Sequence, residues 1–436
     1  MKEIQLLKGT KDFLPEEQAV RNEIKEISES VFRKYGCKPL ETSILNPFEL
    51  MASKYGGGAE ILKEVYRLTD QGERDISLRY DLTIPFAKVI AQNPELRMPF
   101  KRYEIGKVFR DGPVKTGRLR EFTQCDVDIV GVKNMLAEAE LMTMAVDVFN
   151  KLGLEIEIQY NNRKLLVGML RSLEIPEGKT NAVILTLDKV EKIGVDGVTE
   201  ELNEKGINTL QITRIVELLK DKDLLALDKR KAMFQNSLYN EGLNEIAELE
   251  AYLEAFNIKE FCRFTPFLAR GLDIYTGTIY EIFLKNSTIT SSIGSGGRYD
   301  KIIGKLLNSE REYPTVGISI GLDVVYYALK ENGISLTTNS TELLIIPIGM
   351  EKEVLTIAQG LRKTGVKVEI EMMGKKLAKA FSYANKEKIP YVMVVGSNEV
   401  ETSIANIKEM DSGKEISIDL NKLDEIYALV KGECRK

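Results

Sequence analysis

Arginines and acidic residues recur together in four short segments of this 436-residue sequence, and each segment lies among apolar residues. The segments are RYDLT (79–83), VFRDGPVKTGRLREFTQCDVD (108–128), ARGLDIYTG (269–277) and GSGGRYD (294–300). One such cluster alone is most simply explained as a solvated outer face of a sheet. Four of them favour a site that binds an anion through arginine and an amine through carboxylates.

Arg270 shows the pattern most clearly. It stands in ARGLDIYTGTIYE (269–281), next to Gly271, close to Tyr275, and after a mostly apolar stretch. Exposure to solvent is the default explanation for any single charged residue. A guanidinium among apolar residues requires an anionic partner, so the alternative is that Arg270 is a fixed cation for a bound anion.

The segment TQCDVD places an amide and two carboxylates at alternate positions. In a strand, Gln124, Asp126 and Asp128 share one face, while Cys125 and Val127 lie on the other. The sequence contains no histidine, which removes the usual general base and the commonest metal ligand. Chemistry at this polar face would therefore depend on carboxylates, arginines, lysines, tyrosines, backbone groups or an oxygen-bound metal.

These clusters lie in segments with strand-like patterns. Between about residues 65 and 131, the pieces VYRLTD, ISLRYDLT, FKRYEIGKVFR and EFTQCDVDIVG are separated by turn residues, which predicts an antiparallel sheet. Helical periodicity predicts long amphipathic helices at 16–36 and 133–153. The second of these is followed by the strand-like segment LEIEIQYN.

Two later regions have a different character. Residues 162–260 are rich in lysine, glutamate and helical periods, and strand patterns return from 262 to 300. We therefore predict an α+β fold in which a helical insertion interrupts the sheet domain. The polar segment ISLTTNS (334–340) is a linker candidate, and alternating strands and helices after it predict a separate small α/β domain.

Composition limits the classes of function. The net charge of −5, with 43% hydrophobic and 29% charged residues, argues against coating nucleic acid by bulk charge and leaves room for a local basic face. No apolar run reaches the length of a membrane span, and the first residues show no signal-peptide pattern. The four cysteines are too far apart to predict a zinc site or a disulfide framework. We expect a cytoplasmic protein with reduced thiols.

The order of the motifs resembles the histidyl-tRNA synthetase family of class II aminoacyl-tRNA synthetases. The motifs on which the resemblance rests are RYDLT, FKRYEIGKVFRDGPVKTGRLREFTQCDVDIVG, ARGLDIYTGTIYE and GGRYD. The opening segment KGTKDFLPEE also fits the family pattern. Several long motifs in one order are far more specific than any one of them. The resemblance covers nearly the whole chain. It implies a class II antiparallel catalytic core at 1–161 and 261–332, with a helical insertion domain at 162–260. A linker at 333–341 and an anticodon-binding domain at 342–436 follow.

The resemblance also implies a reaction. A histidine–tRNA ligase activates L-histidine with ATP to form histidyl-adenylate, and then transfers the histidyl group to tRNA(His). The expected partners are L-histidine, ATP, tRNA(His) and a second copy of the chain in a homodimer, with no membrane, and Mg²⁺ is expected to accompany ATP. The loop GPVKTGR (112–118) is a candidate for contact with the acceptor end of the tRNA.

Specific residues take roles from this resemblance. Asp81, Thr83 and Gln124 would hold the α-ammonium group of histidine, and Asp128 and Tyr275 would face the two imidazole nitrogens. Arg110 and Arg270 would be catalytic, because both would compensate charge at the α-phosphate. The full set implied for histidine is Asp81, Leu82, Thr83, Arg110, Gln124, Asp128, Arg270, Ile274 and Tyr275. The set implied for ATP is Arg110, Asp111, Arg118, Arg120 and Arg298.

Two departures from the family pattern bear on ATP. Val324 stands in GLDVV where class II enzymes usually have the motif 3 arginine, so ATP binding is weaker or another cation, such as Arg118, Arg298 or Lys301, replaces it. Gly112 stands where motif 2 usually has an acid. Either Asp111 takes over, or the adenine amino group is recognised differently.

These departures leave a second class of function open. A synthetase-like paralogue can be a non-catalytic regulatory subunit, for example of ATP phosphoribosyltransferase, or a sensor of tRNA or histidine. Such a regulatory subunit lacks the anticodon domain. Here the segment after the linker includes KKLAKAFSYANKEKIPYVMVVG, whose lysines suit a phosphate backbone, although a solvated helix face is the alternative for each lysine.

Overall fold

A computed structural model of the chain describes residues 5–53, 60–114, 117–221, 229, 233–234, 236–269, 274–334 and 341–432. The chain divides into two compact units, residues 1–336 and 337–436. Among the described residues, no helix is both long enough and apolar enough to cross a membrane.

An eight-stranded sheet forms the centre of the first unit. Its strands are β1 (Lys38–Pro39), β5 (Phe100–Phe109), β6 (Glu121–Val130), β7 (Ile156–Asn162), β8 (Cys262–Phe264), β9 (Thr278–Leu284), β10 (Gly294–Arg298) and β11 (Thr315–Gly321). They lie in the order β1-β5-β6-β11-β10-β9-β7-β8. The β1–β5 and β7–β8 pairs are parallel and the other five pairs are antiparallel. The predicted antiparallel sheet is confirmed for FKRYEIGKVFR and EFTQCDVDIVG, which pair as β5 and β6.

The other two predicted strands belong to a separate sheet. Its three short strands are β2 (Leu45–Pro47), β3 (Arg67–Thr69) and β4 (Asp75–Leu78), which pair antiparallel in the order β2-β4-β3. The prediction that ISLRYDLT is one strand is wrong beyond Leu78, because a helix begins at Thr83. The Asp81 carboxylate accepts hydrogen bonds from the first backbone N–H groups of that helix, which favours a helix start.

Helices cover the large sheet and form the inserted segment. The predicted helices at 16–36 and 133–153 are confirmed as Pro15–Lys34 and Leu136–Leu152. The inserted segment is helical wherever it forms regular structure in the described residues, with Arg163–Ser172, Glu177–Leu187, Val190–Glu204, Thr209–Lys220 and Ser237–Ala255. The remaining helical segments of the unit are Phe48–Ser53, Glu60–Glu64, Thr83–Gln92, Lys259–Phe261, Ile302–Leu306 and Leu322–Glu331.

Alternation in β6 divides the sheet into an apolar and a polar face. Cys125 and Val127 are fully buried and belong to the main hydrophobic cluster, which also contains apolar residues of the helix Leu136–Leu152. Asp126 and Asp128 face the other way, as predicted from the sequence. The polar face is thus held rigidly by a packed core behind it.

The second unit is a mixed five-stranded sheet with helices. Its strands are β12 (Leu343–Pro347), β13 (Val368–Ile370), β14 (Tyr391–Val395), β15 (Ile404–Glu409) and β16 (Glu415–Asp419). They lie in the order β13-β12-β14-β15-β16, in which the first three are parallel and β15 and β16 are antiparallel to their neighbours. Its helices are Glu351–Thr364, Leu377–Lys386, Ser397–Thr402 and Leu423–Lys431. The predicted alternation of strands and helices is confirmed.

Candidate active site

Rows of directly paired residues cross the polar face of the large sheet and bring distant segments together. The register of β5, β6, β11 and β10 aligns one row of Arg102, Asp128, Gly317 and Gly297. The next row is Glu104, Asp126, Ser319 and Ser295. Directly opposed side chains have β-carbons only about 4.5–5.5 Å apart, so neighbouring side chains in a row are in contact, and the two glycines leave open space at their end of the first row.

A cavity of about 160 Å³ lies over these rows, and we call it the inner cavity. Seven of the nine residues implied for histidine line it, and these are Asp81, Thr83, Arg110, Gln124, Asp128, Ile274 and Tyr275. Leu82 does not line it, because its side chain is fully buried. Arg270 lies outside the described residues.

Asp128 is held at both carboxylate oxygens. The hydroxyl of Tyr299 donates a short hydrogen bond to Asp128 Oδ1, and Arg102 Nη2 lies 2.6 Å from Asp128 Oδ2. Burial and the neighbouring Asp128 carboxylate raise the pKa of Tyr299 well above its usual value, so the phenol keeps its proton. A carboxylate has about four acceptor positions, so Asp128 still has capacity for a ligand N–H.

Arg102 supplies the positive charge behind this carboxylate. It is fully buried, its guanidinium stacks 4.5 Å from the Phe86 ring centroid, and Nη2 donates to the Leu82 carbonyl at 3.1 Å. Burial disfavours its charged form, but Asp128, Asp126 and Glu104 outweigh that effect and raise the pKa of Arg102. The guanidinium is therefore a permanent part of the site.

Gly317 leaves the space that the Asp128 carboxylate occupies. A β-carbon at residue 317 would lie 1.9 Å from Asp128 Oδ1, well inside van der Waals contact. Its carbonyl accepts a hydrogen bond from the buried Tyr280 hydroxyl at 2.7 Å, which fixes the strand at that point. Any side chain at 317 would displace the carboxylate.

Three acidic side chains line the inner cavity, namely Asp81, Asp126 and Asp128. Asp81 Oδ1 accepts from the backbone N–H groups of Thr83 and Ile84 at 3.0 Å each. This negative wall suits a cationic group such as an ammonium.

Arg110 links the inner cavity to a second, larger one. Its guanidinium lies between the rings of Tyr80 and Phe122, 4.2 and 5.1 Å from their centroids, and Nε donates to the Tyr80 carbonyl at 3.2 Å. The second cavity, of about 380 Å³, shares Arg110, Gln124, Ser295 and Ser319 with the first. We call it the outer cavity.

The outer cavity is lined both by Arg118, a candidate cation for ATP, and by Val324, which stands where class II enzymes usually have the motif 3 arginine. Arg118 is exposed, and we find no ion pair for it among the described residues. Gly117 has φ of +72°, and a β-carbon there would lie 3.2 Å from the Val324 side chain. Val324 thus packs against the loop that carries Arg118.

Asp111 and Arg120 interact with each other and line neither cavity. Arg120 Nη2 lies 3.1 Å from Asp111 Oδ1. The space beside Gly112 instead holds another carboxylate, since a β-carbon there would lie 2.9 Å from Glu64 Oε1. An acidic group is therefore present at the position where motif 2 usually supplies one, but it comes from a different segment.

Arg298 has a structural role that conflicts with its implied role at ATP. It is almost completely buried, and its guanidinium makes two 2.7 Å hydrogen bonds to the Glu138 carboxylate. Nη1 and Nη2 also donate to the carbonyls of Val132 and Asn134. Arg298 lines neither cavity, because its donors are already used in holding the helix Leu136–Leu152 to β10.

Sequence reasoning did not assign Arg102, Tyr299, Asp126 or Ser319 to the site. Two signals were available: Arg102 and Glu104 alternate in FKRYE, and Tyr299 lies in the quoted segment GSGGRYD. What could not be derived was the register that places each of them opposite its partner.

A dedicated protein metal site is not evident among the described residues, where no three potential ligands cluster closely enough to hold an ion.

Comparisons with known proteins match both units. Residues 9–325 match the family model described as histidyl-tRNA synthetase, and residues 342–428 match the anticodon binding domain. The chain is 56% identical over 422 residues to a histidine–tRNA ligase 1 of Bacillus cereus, covering 97% of this chain and 99% of that protein.

Solved structures show the same fold. A crystal structure of histidyl-tRNA synthetase from Nostoc sp. PCC 7120 superposes with a TM-score of 0.86 and 29% identity, covering 98% of this chain and all of that one. A Bacillus halodurans C structure described as an ATP phosphoribosyltransferase regulatory subunit/histidyl-tRNA synthetase has a TM-score of 0.75 and 20% identity. It covers 90% of this chain and 98% of that one, and this likeness concerns the fold alone.

Proposed function

Because this chain belongs to the histidyl-tRNA synthetase family and acts as a histidine–tRNA ligase, we propose that histidine binds in the inner cavity and ATP in the outer cavity. The observation that carries the proposal is the buried Asp128 carboxylate, fixed by Arg102 and Tyr299 at the floor of a small cavity. Arg110, at the junction of the cavities, lies where the two substrates would meet.

Selection of histidine follows from the two ring nitrogens. A neutral imidazole has one N–H donor and one acceptor, so Asp128 accepts from one nitrogen and the Tyr275 hydroxyl donates to the other. An amino acid without these nitrogens would bury both protein groups without the hydrogen bonds that imidazole makes to them, which is a strong basis for rejection. The residues Asp81, Thr83 and Gln124 hold the α-ammonium group.

Activation joins two anions. A carboxylate oxygen of histidine attacks the α-phosphorus of ATP, a new P–O bond forms, and pyrophosphate leaves with the electrons of the bond that breaks. Arg110 compensates the charge that develops on the phosphate oxygens and transfers no proton. Arg270 has the same role in this proposal, on the basis of its sequence motif.

The nucleotide is held by the loop between β5 and β6. Arg118 supplies the cation that Val324 does not, and Arg110 contacts the α-phosphate. When bound together with ATP, Mg²⁺ would supply further neutralisation of the phosphate charge beside Arg110 and Arg118. Asp111, Arg120 and Arg298 are left out of this nucleotide site because their side chains face neither cavity.

Transfer requires tRNA(His), and the second unit supplies a basic surface for it. Lys376, Lys379 and Lys386 are exposed on or beside the helix Leu377–Lys386, and a phosphate backbone would pair with them. The loop at 112–118, of which 115–116 lie outside the described residues, remains the candidate for the acceptor end. The reaction places the protein in the cytoplasm, where tRNA is charged.

A homodimer is part of the proposal. The two-residue strand β1 forms one edge of the large sheet, and a groove of about 660 Å³ lies there. Apolar Leu40 and Ile44 line it beside charged Arg33 and Glu41, and a mixture of apolar and polar groups is typical of the surface that one subunit presents to another. Light scattering of the purified protein should give twice the mass of one chain, and a monomer at all concentrations would refute this part.

The regulatory-subunit alternative is not favoured. Such a subunit lacks an anticodon domain, whereas residues 342–428 match one. The activity test is exchange of labelled pyrophosphate into ATP by the purified protein. We expect exchange with histidine and none with the other amino acids. If no histidine-dependent exchange occurs at saturating ATP, the regulatory-subunit function would be favoured instead.

A further inference from the structure

Gln124 presents an unsatisfied oxygen to the inner cavity. Its amide Nε2 donates to Ser319 Oγ at 2.8 Å. Its carbonyl Oε1 is buried and has no hydrogen-bond partner among the described residues. An orphaned acceptor in a cavity wall is costly unless a ligand donor satisfies it, and the α-ammonium of histidine would be such a donor.

The direction of the Gln124 amide depends on its neighbours. The two ends of a glutamine amide have nearly the same shape, so the hydrogen-bond network decides which end faces the cavity. Ser319 is directly opposite Asp126 across the β6–β11 pair, so its hydroxyl lies beside the Asp126 carboxyl and lowers the pKa of that group. When the carboxyl is ionised it can only accept, so Ser319 donates to it and accepts from Gln124 Nε2.

We propose that Asp126 and Ser319 are positioning residues for the ligase reaction: they hold the Gln124 amide with its oxygen towards the α-ammonium of histidine. This inference rests on the proposed placement of histidine in the inner cavity. It assigns a role to Ser319, which hydrogen-bonds to Gln124, and to Asp126, which lies opposite Ser319, beyond the binding residues themselves. Asp126 is only 4% exposed, so its charge acts within the protein and is little screened by solvent.

We call the chain of hydrogen bonds from Asp126 through Ser319 to Gln124 the relay. Its donors and acceptors reverse when Asp126 is protonated. Burial is the main cause that raises the pKa of Asp126 to about 7, with Asp128 acting in the same direction and Arg102 against it. A protonated Asp126 donates to Ser319, Ser319 then donates to Gln124 Oε1, and the NH₂ group turns towards the cavity. That arrangement repels an ammonium. The charged or titratable groups that face Asp126 are Arg102, Glu104, Asp128, Asp81 and Tyr299.

The protonation of Asp126 gives ammonium binding a pH dependence of definite sign. Binding of an ammonium group strengthens as pH rises through about 7, because the ionised form of Asp126 is the one that presents the Gln124 oxygen. A bound ammonium in turn stabilises the ionised form of Asp126. Below this range the contribution of Gln124 to ammonium binding is lost, while Asp81 and Thr83 still contact the ammonium.

Two inhibitors isolate this contribution. Histidinol and des-amino-histidinol share the imidazole and the alcohol and differ only in the ammonium group. The ratio of the inhibition constant of des-amino-histidinol to that of histidinol, in histidine-dependent pyrophosphate exchange, therefore measures ammonium recognition. Because the ammonium group lowers the pKa of the imidazole in histidinol, each inhibition constant is first corrected to the neutral imidazole form with the measured pKa of that compound. The full-length protein is compared with the variants Gln124→Ala, Ser319→Ala, Ser319→Thr, Asp126→Asn and Ser295→Ala.

Ser295→Ala is the matched control. Ser295 lies directly opposite Ser319 on β10 and lines both cavities, but it has no hydrogen bond to Gln124 among the described residues. We expect Gln124→Ala and Ser319→Ala to lower the ratio about tenfold or more, as for loss of a charge-assisted hydrogen bond. Ser319→Thr keeps the hydroxyl and should keep most of the ratio, and Ser295→Ala should leave it unchanged.

The pH dependence of the inhibition-constant ratio is an independent test of the role of Asp126. Between about pH 6 and about pH 8 the wild-type ratio should rise, and in Asp126→Asn it should be flat. A flat wild-type ratio, or a slope that survives in Asp126→Asn, would overturn the relay. If Gln124→Ala lowers the ratio and Ser319→Ala does not, the relay fails while the proposed ammonium site stands. If Gln124→Ala itself has no effect, the proposed site fails, and the inference fails with it.

Discussion

Gly317 tests how tightly the sheet backbone and the Asp128 carboxylate are matched. We expect Gly317→Ala to displace the carboxylate, since the added carbon would lie 1.9 Å from Asp128 Oδ1. The kcat/KM for histidine in pyrophosphate exchange should fall at least about tenfold, with a loss of about 1–3 kcal/mol in stability from overpacking. Gly178→Ala is the control, because nothing lies within 4 Å of a β-carbon there. Full activity in Gly317→Ala would contradict the geometry.

Single residues differed in how far the sequence could place them. Alternation alone put Gln124, Asp126 and Asp128 on one face, because the period of a strand is fixed. Arg298 belongs to the same kind of cluster as Arg110, yet its partner Glu138 is 160 residues away in sequence. Local pattern therefore identified the polar clusters but could not say which arginine meets a ligand and which meets a buried carboxylate.

The loop between β5 and β6 is the element on which ATP binding depends most. Arg118 on this loop lines the outer cavity, where Val324 provides no charge. We expect Arg118→Ala to raise the KM for ATP about tenfold and to leave the KM for histidine nearly unchanged, since one charge-assisted contact to phosphate is lost. Arg74→Ala, which removes an exposed arginine paired with Asp70, is the control.

An unchanged KM for ATP in Arg118→Ala would remove Arg118 as the replacement for the missing arginine. Lys301, the other cation named from the sequence, is excluded by the same criterion that leaves out Arg298. The Lys301 side chain is exposed and lies 4.0 Å from Glu312, and it lines neither cavity.

Two helices of the inserted segment approach each other through glycines. A β-carbon at Gly168 would lie 2.6 Å from the Tyr239 backbone nitrogen, and one at Gly242 would lie 2.6 Å from the Leu165 nitrogen. Alanine normally favours a helix over glycine by about 1 kcal/mol. We nevertheless expect Gly168→Ala to lower the melting temperature, because overpacking costs about 1–3 kcal/mol. Gly178→Ala, also in a helix of this segment, should melt at or above the wild-type temperature, and equal melting of the two variants would contradict the close contact.

Elements were predicted well where one periodicity ran for many residues, as in the helix Pro15–Lys34. The segment ISLRYDLT failed because its alternation continues past the strand into a helix start, where Asp81 binds the first N–H groups. The sequence also could not show that β3 and β4 belong to the separate three-stranded sheet, because strand pairing depends on contacts between residues distant in the chain.

The whole molecule consists of two units that each contain their own hydrophobic clusters. All the described residues that line either cavity belong to the first unit. We expect a chain ending at residue 336 to keep histidine-dependent pyrophosphate exchange within about threefold. Charging of tRNA(His) should fall by more than about tenfold, because phosphate contacts from the second unit are lost. Equal loss of both activities in a folded truncated chain would contradict this division of labour.

Substitution of Asp128 tests the proposed site as a whole. The measurement is the KM for histidine in pyrophosphate exchange, with Asp128→Asn compared to Asp75→Asn, which alters an exposed carboxylate paired with Arg67. We predict a KM raised between about tenfold and about a hundredfold in Asp128→Asn, from loss of a charge-assisted hydrogen bond to imidazole, with the KM for ATP unchanged. A KM for histidine equal to that of Asp75→Asn would contradict the placement of histidine in the inner cavity.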